Sequence, residues 1–303
     1  MLCPTCLVPR PGDAGPEGHS CPRCGQAQAA SLAEWQAFPP LRFLAHDRSL
    51  PGLIARRTLL GTPLPTDGAL AAGRIRSLLA AQLSGGSWNA SIGWTAWYLY
   101  ELHLLGVGRD RPEVRRALAW IYDRLDRFGE FHERAEVVNS YPTVMGEEQA
   151  MARRGIDLHG YLLAHLLPLG VGDEPPIRRA TEFLLERYPG GRRCCPRCTA
   201  NLLAALALVP DDRARAKGLA ALAWLAESQR DGYWRHRGGP LFYFTLHGVG
   251  AWPEGREIVA RAAPLVRQLR QPDGGWGVRA RAEKTLLVVT TFARHGLLPE
   301  VAA

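Results

Sequence analysis

The sequence predicts an all-α chain of tandem helix pairs arranged in two layers, preceded by a short module ordered by metal. Three observations carry this. Glycine- and tryptophan-bearing segments recur along residues 67–297 at a spacing near 42. Each period holds one amphipathic, charged helical pattern and one that is apolar almost all round, which are the signatures of a peripheral and a buried helix. The first thirty residues carry two Cys-x2-Cys pairs, and the turn-rich segment 9–18 between them cannot form a core.

The 303 residues are 47% hydrophobic and 22% charged, enough apolar side chains for one large or two average domains, and disorder as the main state is excluded. No run approaches the ~20 apolar residues that cross a bilayer. The start, Met1-Leu2-Cys3-Pro4, has no basic region followed by an apolar stretch, so a cytoplasmic protein is expected. The net charge of +8 does not indicate nucleic acid. All but two of the 37 basic residues are arginine (the lysines are Lys217 and Lys284), and they are scattered among acidic neighbours such as Asp110, Asp123 and Asp126.

Residues 1–30 read as a separate unit. Cys3 and Cys6 form one pair and Cys21 and Cys24 the other, with fourteen residues between. Two thiolates in one tight turn face one tetrahedral ion, and four cysteines leave it no open position, so a structural zinc is expected. The intervening Pro9, Pro11, Gly12, Gly15, Pro16 and Gly18 make turns and no core. With Pro4, Pro22 and Gly25 around the pairs, the module resembles a zinc ribbon, a docking element for a protein partner.

The repeats fill most of residues 31–303. Gln229, Asp231-Gly232 and Trp234 align with Gln271, Asp273-Gly274 and Trp276, and a copy one residue longer has Gln82, Gly85-Gly86 and Trp88. Two degenerate copies run from Trp120-Ile121 to Gly129 and Phe131, and from Phe183-Leu184 to Gly190-Gly191. Taking Gln82, Leu125, Tyr188, Gln229 and Gln271 as equivalent, the spacings are 43, 63, 41 and 42, so about twenty extra residues interrupt the second copy. The pattern over 112–125, with Pro112 in its first turn, represents the charged helices. Segments 94–105, 158–167, 199–208 and 285–293 represent the buried ones. Periodicity alone leaves open whether such a stack is a solenoid or a closed barrel.

Gln-x-Asp-Gly-Gly-Trp-Gly at 271–277 and Gln-x-Asp-Gly-x-Trp at 229–234 resemble the QW repeats of squalene–hopene and oxidosqualene cyclases, related to the repeats of protein prenyltransferase β subunits. The resemblance implies an α/α toroid of about five to six helix pairs, with the Gln and Trp tying outer-helix ends to neighbouring repeats. Residues 31–60, with Trp35, Phe38, Phe43 and Leu44, supply a further pair. In such toroids functional residues lie near the starts of inner helices. Those positions hold Trp94, Trp97, Asp157, His159, Tyr243, His247 and Lys284, expected to line a cavity for an isoprenoid-like molecule.

The Asp-x-Asp-Asp acid of class II cyclases does not occur in this sequence; Asp211-Asp212 and Asp123 with Asp126 fall on peripheral segments. Cys194, Cys195 and Cys198 stand at an inner-helix start, and with His236 they form a candidate second zinc site. His103 and His165, deep in apolar segments, read as core histidines bonded to carbonyls. Two functions compete. One is an isoprenoid-handling protein, with zinc-dependent transfer as its enzymatic form. The other is a non-catalytic scaffold whose zinc ribbon contacts a protein or nucleic acid. Nothing in the sequence settles whether the chain is an enzyme.

Overall fold

A computed structural model of the chain describes residues 38–133, 156–192, 195–234 and 242–298. The zinc-ribbon cysteines Cys3, Cys6, Cys21 and Cys24, together with Cys194 and His236, lie outside the described residues. Among those described there are helices and isolated bridges but no β-sheet. The helices are α1 (Pro39–His46), α2 (Leu50–Ala55, continued by a π-helical turn, Arg56–Leu60), α3 (Asp67–Ala80), α4 (Ile92–Leu104), α5 (Pro112–Tyr122) and α6 (Ile156–Leu166). They are followed by α7 (Pro175–Arg187), α8 (Pro196–Leu206), α9 (Asp212–Ser228), α10 (Phe242–Val249), α11 (Arg256–Gln268) and α12 (Arg281–His295).

Odd and even helices differ as the sequence pattern requires. In α5, Val114, Ala117, Leu118 and Ile121 form the buried stripe while Arg115 and Arg116 face solvent. Pro112 opens this helix at the position where a missing N–H costs nothing. In α6, the residues buried include Ile156, Asp157, Leu158, His159, Gly160, Leu162 and Leu163, on more than one face.

The chain divides into two compact units, Met1–Ala71 with Ser228–Ala303, and Ala72–Glu227. In the second unit the buried-type helices pack side by side, α4 on α6 and α6 on α8. Gly160 permits the latter, because a Cβ there would sit 2.9 Å from Leu202 Cδ2 and 3.1 Å from the Leu202 backbone. In the first unit α10 packs on α12, and α12 packs on both α1 and α2.

The turn after each odd helix from α3 to α11 follows one plan. A glycine with positive φ places its Cα against the backbone of another odd helix. Gly86 (φ 98°) and Gly232 (φ 75°) are the clearest cases. A Cβ would come within 2.6 Å of Arg116 O on α5 in the first and 2.5 Å of Arg261 O on α11 in the second. Gly129 is seated the same way on Arg179 of α7, and Gly274 on Pro39 of α1. Gly190 sits against Lys217 and Ala220 of α9. The last turn therefore takes the first described helix as its neighbour, within one unit.

Side chains lock these turns. Gln82 Nε2 donates to Gly86 O (2.8 Å) and to Glu113 O in the first turn of α5 (2.9 Å). Gln229 Nε2 donates to Ile258 O of α11 (3.1 Å). The tryptophans act differently from the resemblance, which has them reach a neighbouring repeat. Trp88 Nε1 donates back to Leu78 O (2.7 Å) and Trp276 Nε1 back to Val266 O (2.6 Å). Each bonds a carbonyl in the last turn of its own odd helix; Leu78 O also accepts from Ala81 N (3.2 Å). In the first unit, buried Arg56 joins three segments: it donates to Asp67 at the start of α3 (Nε to Oδ2, 2.8 Å) and to Leu44 O and Ala45 O of α1 (3.2 Å each). That guanidinium holds the Asp67 carboxyl below the usual carboxylate range.

The glycine seat makes a direct prediction. Gly232→Ala should cost about 2–4 kcal/mol, since strained φ and a backbone clash add. Gly106→Ala, equally positive in φ (88°) but with nothing within 4 Å of the added carbon, should cost about 1 kcal/mol. Urea unfolding of the two variants checks this, and equal losses would contradict the seat.

Candidate functional site

The second unit presents one face where aromatic side chains remain partly accessible. Ser91 caps α4, its Oγ accepting from Trp94 N at 3.3 Å. Ile92, Ala96, Leu99 and Leu102 then turn into the core, and Trp94, Trp97, Tyr98 and Tyr100 stay half-buried. The four aromatics separate into two pairs. Trp94 stacks on Tyr98 (5.6 Å between centroids), and Tyr98 meets the buried turn residue Trp88 (5.9 Å). Trp97 and Tyr100 instead meet His165 of α6, at 5.4 and 5.2 Å, the latter edge-on. Tyr161, one turn earlier on α6, approaches the same imidazole at 4.3 Å.

His165 Nδ1 bonds Tyr161 O at 2.7 Å. Burial pushes its pKa down to about 4, yet its side chain is only half-buried. The carbonyl bond matches the sequence expectation for His165; His103 differs, its Nε2 being buried without a partner among the described residues.

The residues expected to line a cavity occupy three kinds of place. Trp94 and Trp97 are half-buried on α4, as above. Asp157 and His159, in the first turn of α6, are 6% and 0% exposed. His159 serves the repeat turn: Phe131 N donates to its Nε2 at 3.1 Å, and its ring stacks on Phe183 at 4.6 Å. The same bond recurs elsewhere with threonine, Trp88 N to Thr95 Oγ1 and Trp276 N to Thr285 Oγ1, both at 3.1 Å. His159 is thus a longer substitute for a hydroxyl where the turn carries the smaller Phe131. In the first unit, Tyr243 is buried and its phenol is pushed up by desolvation. His247 Nδ1 lies 3.4 Å from Thr291 Oγ1, with its pKa pushed down to about 3 by burial and then by Arg294. Lys284 is buried beside Gly277, where a Cβ would lie 3.0 Å from its Nζ. Burial also raises the neighbouring Glu283 carboxyl.

Of the second candidate zinc site, the structure describes Cys195, the cap of α8, and Cys198, in its first turn. Asp126, Glu130 and His132 offer ligand atoms within 4.8 Å of one another, a grouping the sequence reading did not assemble. Asp126 Oδ1 there accepts from Phe128 N (2.8 Å) and Glu130 N (2.9 Å), which explains the cluster as turn chemistry.

Among solved structures the chain is similar to a protein from Actinoplanes, at 17% identity and TM-score 0.59, covering 88% of this chain and 100% of that one. It is similar to the type II terpene cyclase MstE from Scytonema, at 13% identity and TM-score 0.55, covering 92% of each. A variant of that cyclase, in complex with geranylgeranyl dihydroxybenzoate as substrate, matches at 14% identity and TM-score 0.57 over 88% of this chain and 99% of that one. The likeness shows the fold. It is the α/α class of the terpenoid cyclases that the repeats led us to expect. No family model and no curated protein matches the chain. Among the described residues no helix is long and apolar enough to cross a membrane.

The low pKa of His165 has a measurable consequence. Its unfolded side chain titrates near 6.5 and its folded one near 4, so unfolding takes up a proton between those values. Stability therefore falls as the pH drops from about 6.5 to about 4, and His165→Phe should shrink that loss. Urea unfolding of both proteins at pH 7 and pH 5 checks the difference; an unchanged loss would mean that His165 is not held neutral.

Proposed function

We propose that this protein holds an isoprenoid chain against the aromatic face formed by α4 and α6. The observation that carries the reading is the half-buried Trp97 and Tyr100 turned toward His165. Partly accessible aromatic rings on otherwise buried helices give apolar contact area together with electron-rich faces. The likeness in fold to a terpene cyclase seen with a geranylgeranyl substrate adds support. Without Asp-x-Asp-Asp, the reading stops at binding and positioning of the isoprenoid and assigns no acid for its cyclisation. Binding of geranylgeraniol, followed by quenching of tryptophan fluorescence, tests it. Trp97→Ala should weaken binding about tenfold or more, as expected for loss of a large aromatic contact. If the intact protein binds no isoprenoid probe, the reading falls and the scaffold function replaces it.

We further propose zinc as the protein's metal, with Cys3, Cys6, Cys21 and Cys24 as a closed structural set that serves a protein partner. Cys194, Cys195, Cys198 and His236 form the second set, and the placing of Cys195 and Cys198 together at the start of α8 suits a sulfur-rich site. Such a site, if open, would supply a Lewis acid that activates a bound thiolate. Elemental analysis should find about two zinc ions per chain, falling to about one when Cys194, Cys195 and Cys198 are replaced by alanine. One ion in both proteins would remove the second site.

A further inference from the structure

The starts of α4 and α6, the two helices of the aromatic face, are both bonded by one short stretch of the turn that follows α5. Phe131 N donates to His159 Nε2 in the first turn of α6 (3.1 Å). Two residues on, Glu133 reaches the start of α4, where its Oε2 accepts from Ser91 Oγ (2.8 Å) and Ile92 N (2.9 Å), with Gly93 N at 3.4 Å. Ile92 N is one of the first-turn amides that a helix leaves open, and a carboxylate suits the positive end of the helix. The Ser91 hydroxyl has a single proton. Given to Glu133, it leaves the oxygen lone pairs for Trp94 N, 3.3 Å away. The cap of the helix that carries Trp94 and Trp97 therefore runs through a side chain 42 residues downstream of Ser91. Ser91 is fully buried and Glu133 half-buried, so water replaces this acceptor poorly.

From this geometry we propose that Glu133 is a positioning residue for isoprenoid binding. With Phe131 it fixes the start of α4 against the start of α6, and so sets Trp97 and Tyr100 against His165. The proposal rests on the isoprenoid reading and adds to it a residue that does not itself touch the ligand. Helix α4 packs directly on α6, and the two ring contacts lie further along it, at 5.4 and 5.2 Å from the His165 ring. A change in how α4 begins is carried along the helix to those rings. Glutamine at 133 would keep an acceptor oxygen for Ser91 and Ile92 and lose only the charge.

Geranylgeraniol binding to the full-length protein and to its Glu133→Ala, Glu133→Gln and Ser91→Ala variants tests the proposal, with proton–nitrogen NMR of the Trp94 and Trp97 indoles alongside. Glu133→Ala should weaken binding about fivefold, the population shift that a lost helix cap produces. Glu133→Gln should recover most of that affinity. The two indole resonances should move in Glu133→Ala and return in Glu133→Gln. A role in stability alone would lower the urea midpoint of Glu133→Ala but leave the affinity of the folded protein and both resonances as they were. That result, or a loss that glutamine does not recover, would overturn the positioning role and leave the isoprenoid reading standing. Ser91→Ala breaks the relay to Trp94 while Ile92 N keeps its acceptor. If Glu133→Ala does not fold, Ser91→Ala must weaken binding and move the Trp94 resonance, and its doing neither would overturn the proposal. An intact protein that binds no isoprenoid overturns both.

Discussion

One backbone contact organises this chain: a glycine with positive φ at the end of one odd helix, set against the main chain of another. Its geometry explains the composition of the turns around it. At Gly86, Gly129, Gly232 and Gly274 the approach is too close for any side chain, and at Gly190, where a Cβ would find 3.3 Å or more, the positive φ still favours glycine. The indoles of Trp88 and Trp276 donate to carbonyls in the last turn of the preceding helix, where the regular helical donors run out. Gln82 and Gln229 bind the first-turn carbonyls of the helix on which the glycine is seated. The glycine, amide and indole therefore act as one unit, and loss of the glycine would misplace the other two.

A second regularity runs through the starts of the even helices. The N–H of the turn's aromatic residue needs an acceptor once buried, and Thr95, Thr285 and His159 provide it at the same distance. His159 thus belongs to the scaffold, although a histidine at a helix start in a cavity-forming fold invites a catalytic reading. His165, two turns further along α6, is the reverse case. It looks like a core residue in the sequence, and it bonds a carbonyl of its own helix among the rings of Trp97, Tyr100 and Tyr161. The two histidines differ in that His159 bonds the turn through Nε2 and His165 bonds its own helix through Nδ1.

Helix pairing, the approximate period and the special standing of the repeat glycines were all legible in the sequence, because periodic burial and left-handed turns constrain residue type locally. The helix over 112–125 is observed as Pro112–Tyr122, and the segments read from 94, 158, 199 and 285 each begin two to four residues earlier than their apolar runs. Those first turns carry polar or small residues (Gly93, Asp157, Arg197, Glu283), which hydropathy does not mark as helical. The direction of the tryptophan bond could not be read either, since a spacing of ten residues does not say whether an indole folds back or reaches forward.

The sequence by itself determined that this is an all-helical chain with buried and exposed helices in alternation, because that rests on the period of apolar residues along each helix. Only the tertiary structure decided which polar residues serve the scaffold and which remain available. Asp157, His159 and His165 lie within nine positions of one another on a single helix, and their neighbours in sequence are equally apolar. What separates them is the helix each one faces and the ring that meets it there, and packing of α4 and α7 against α6 sets that.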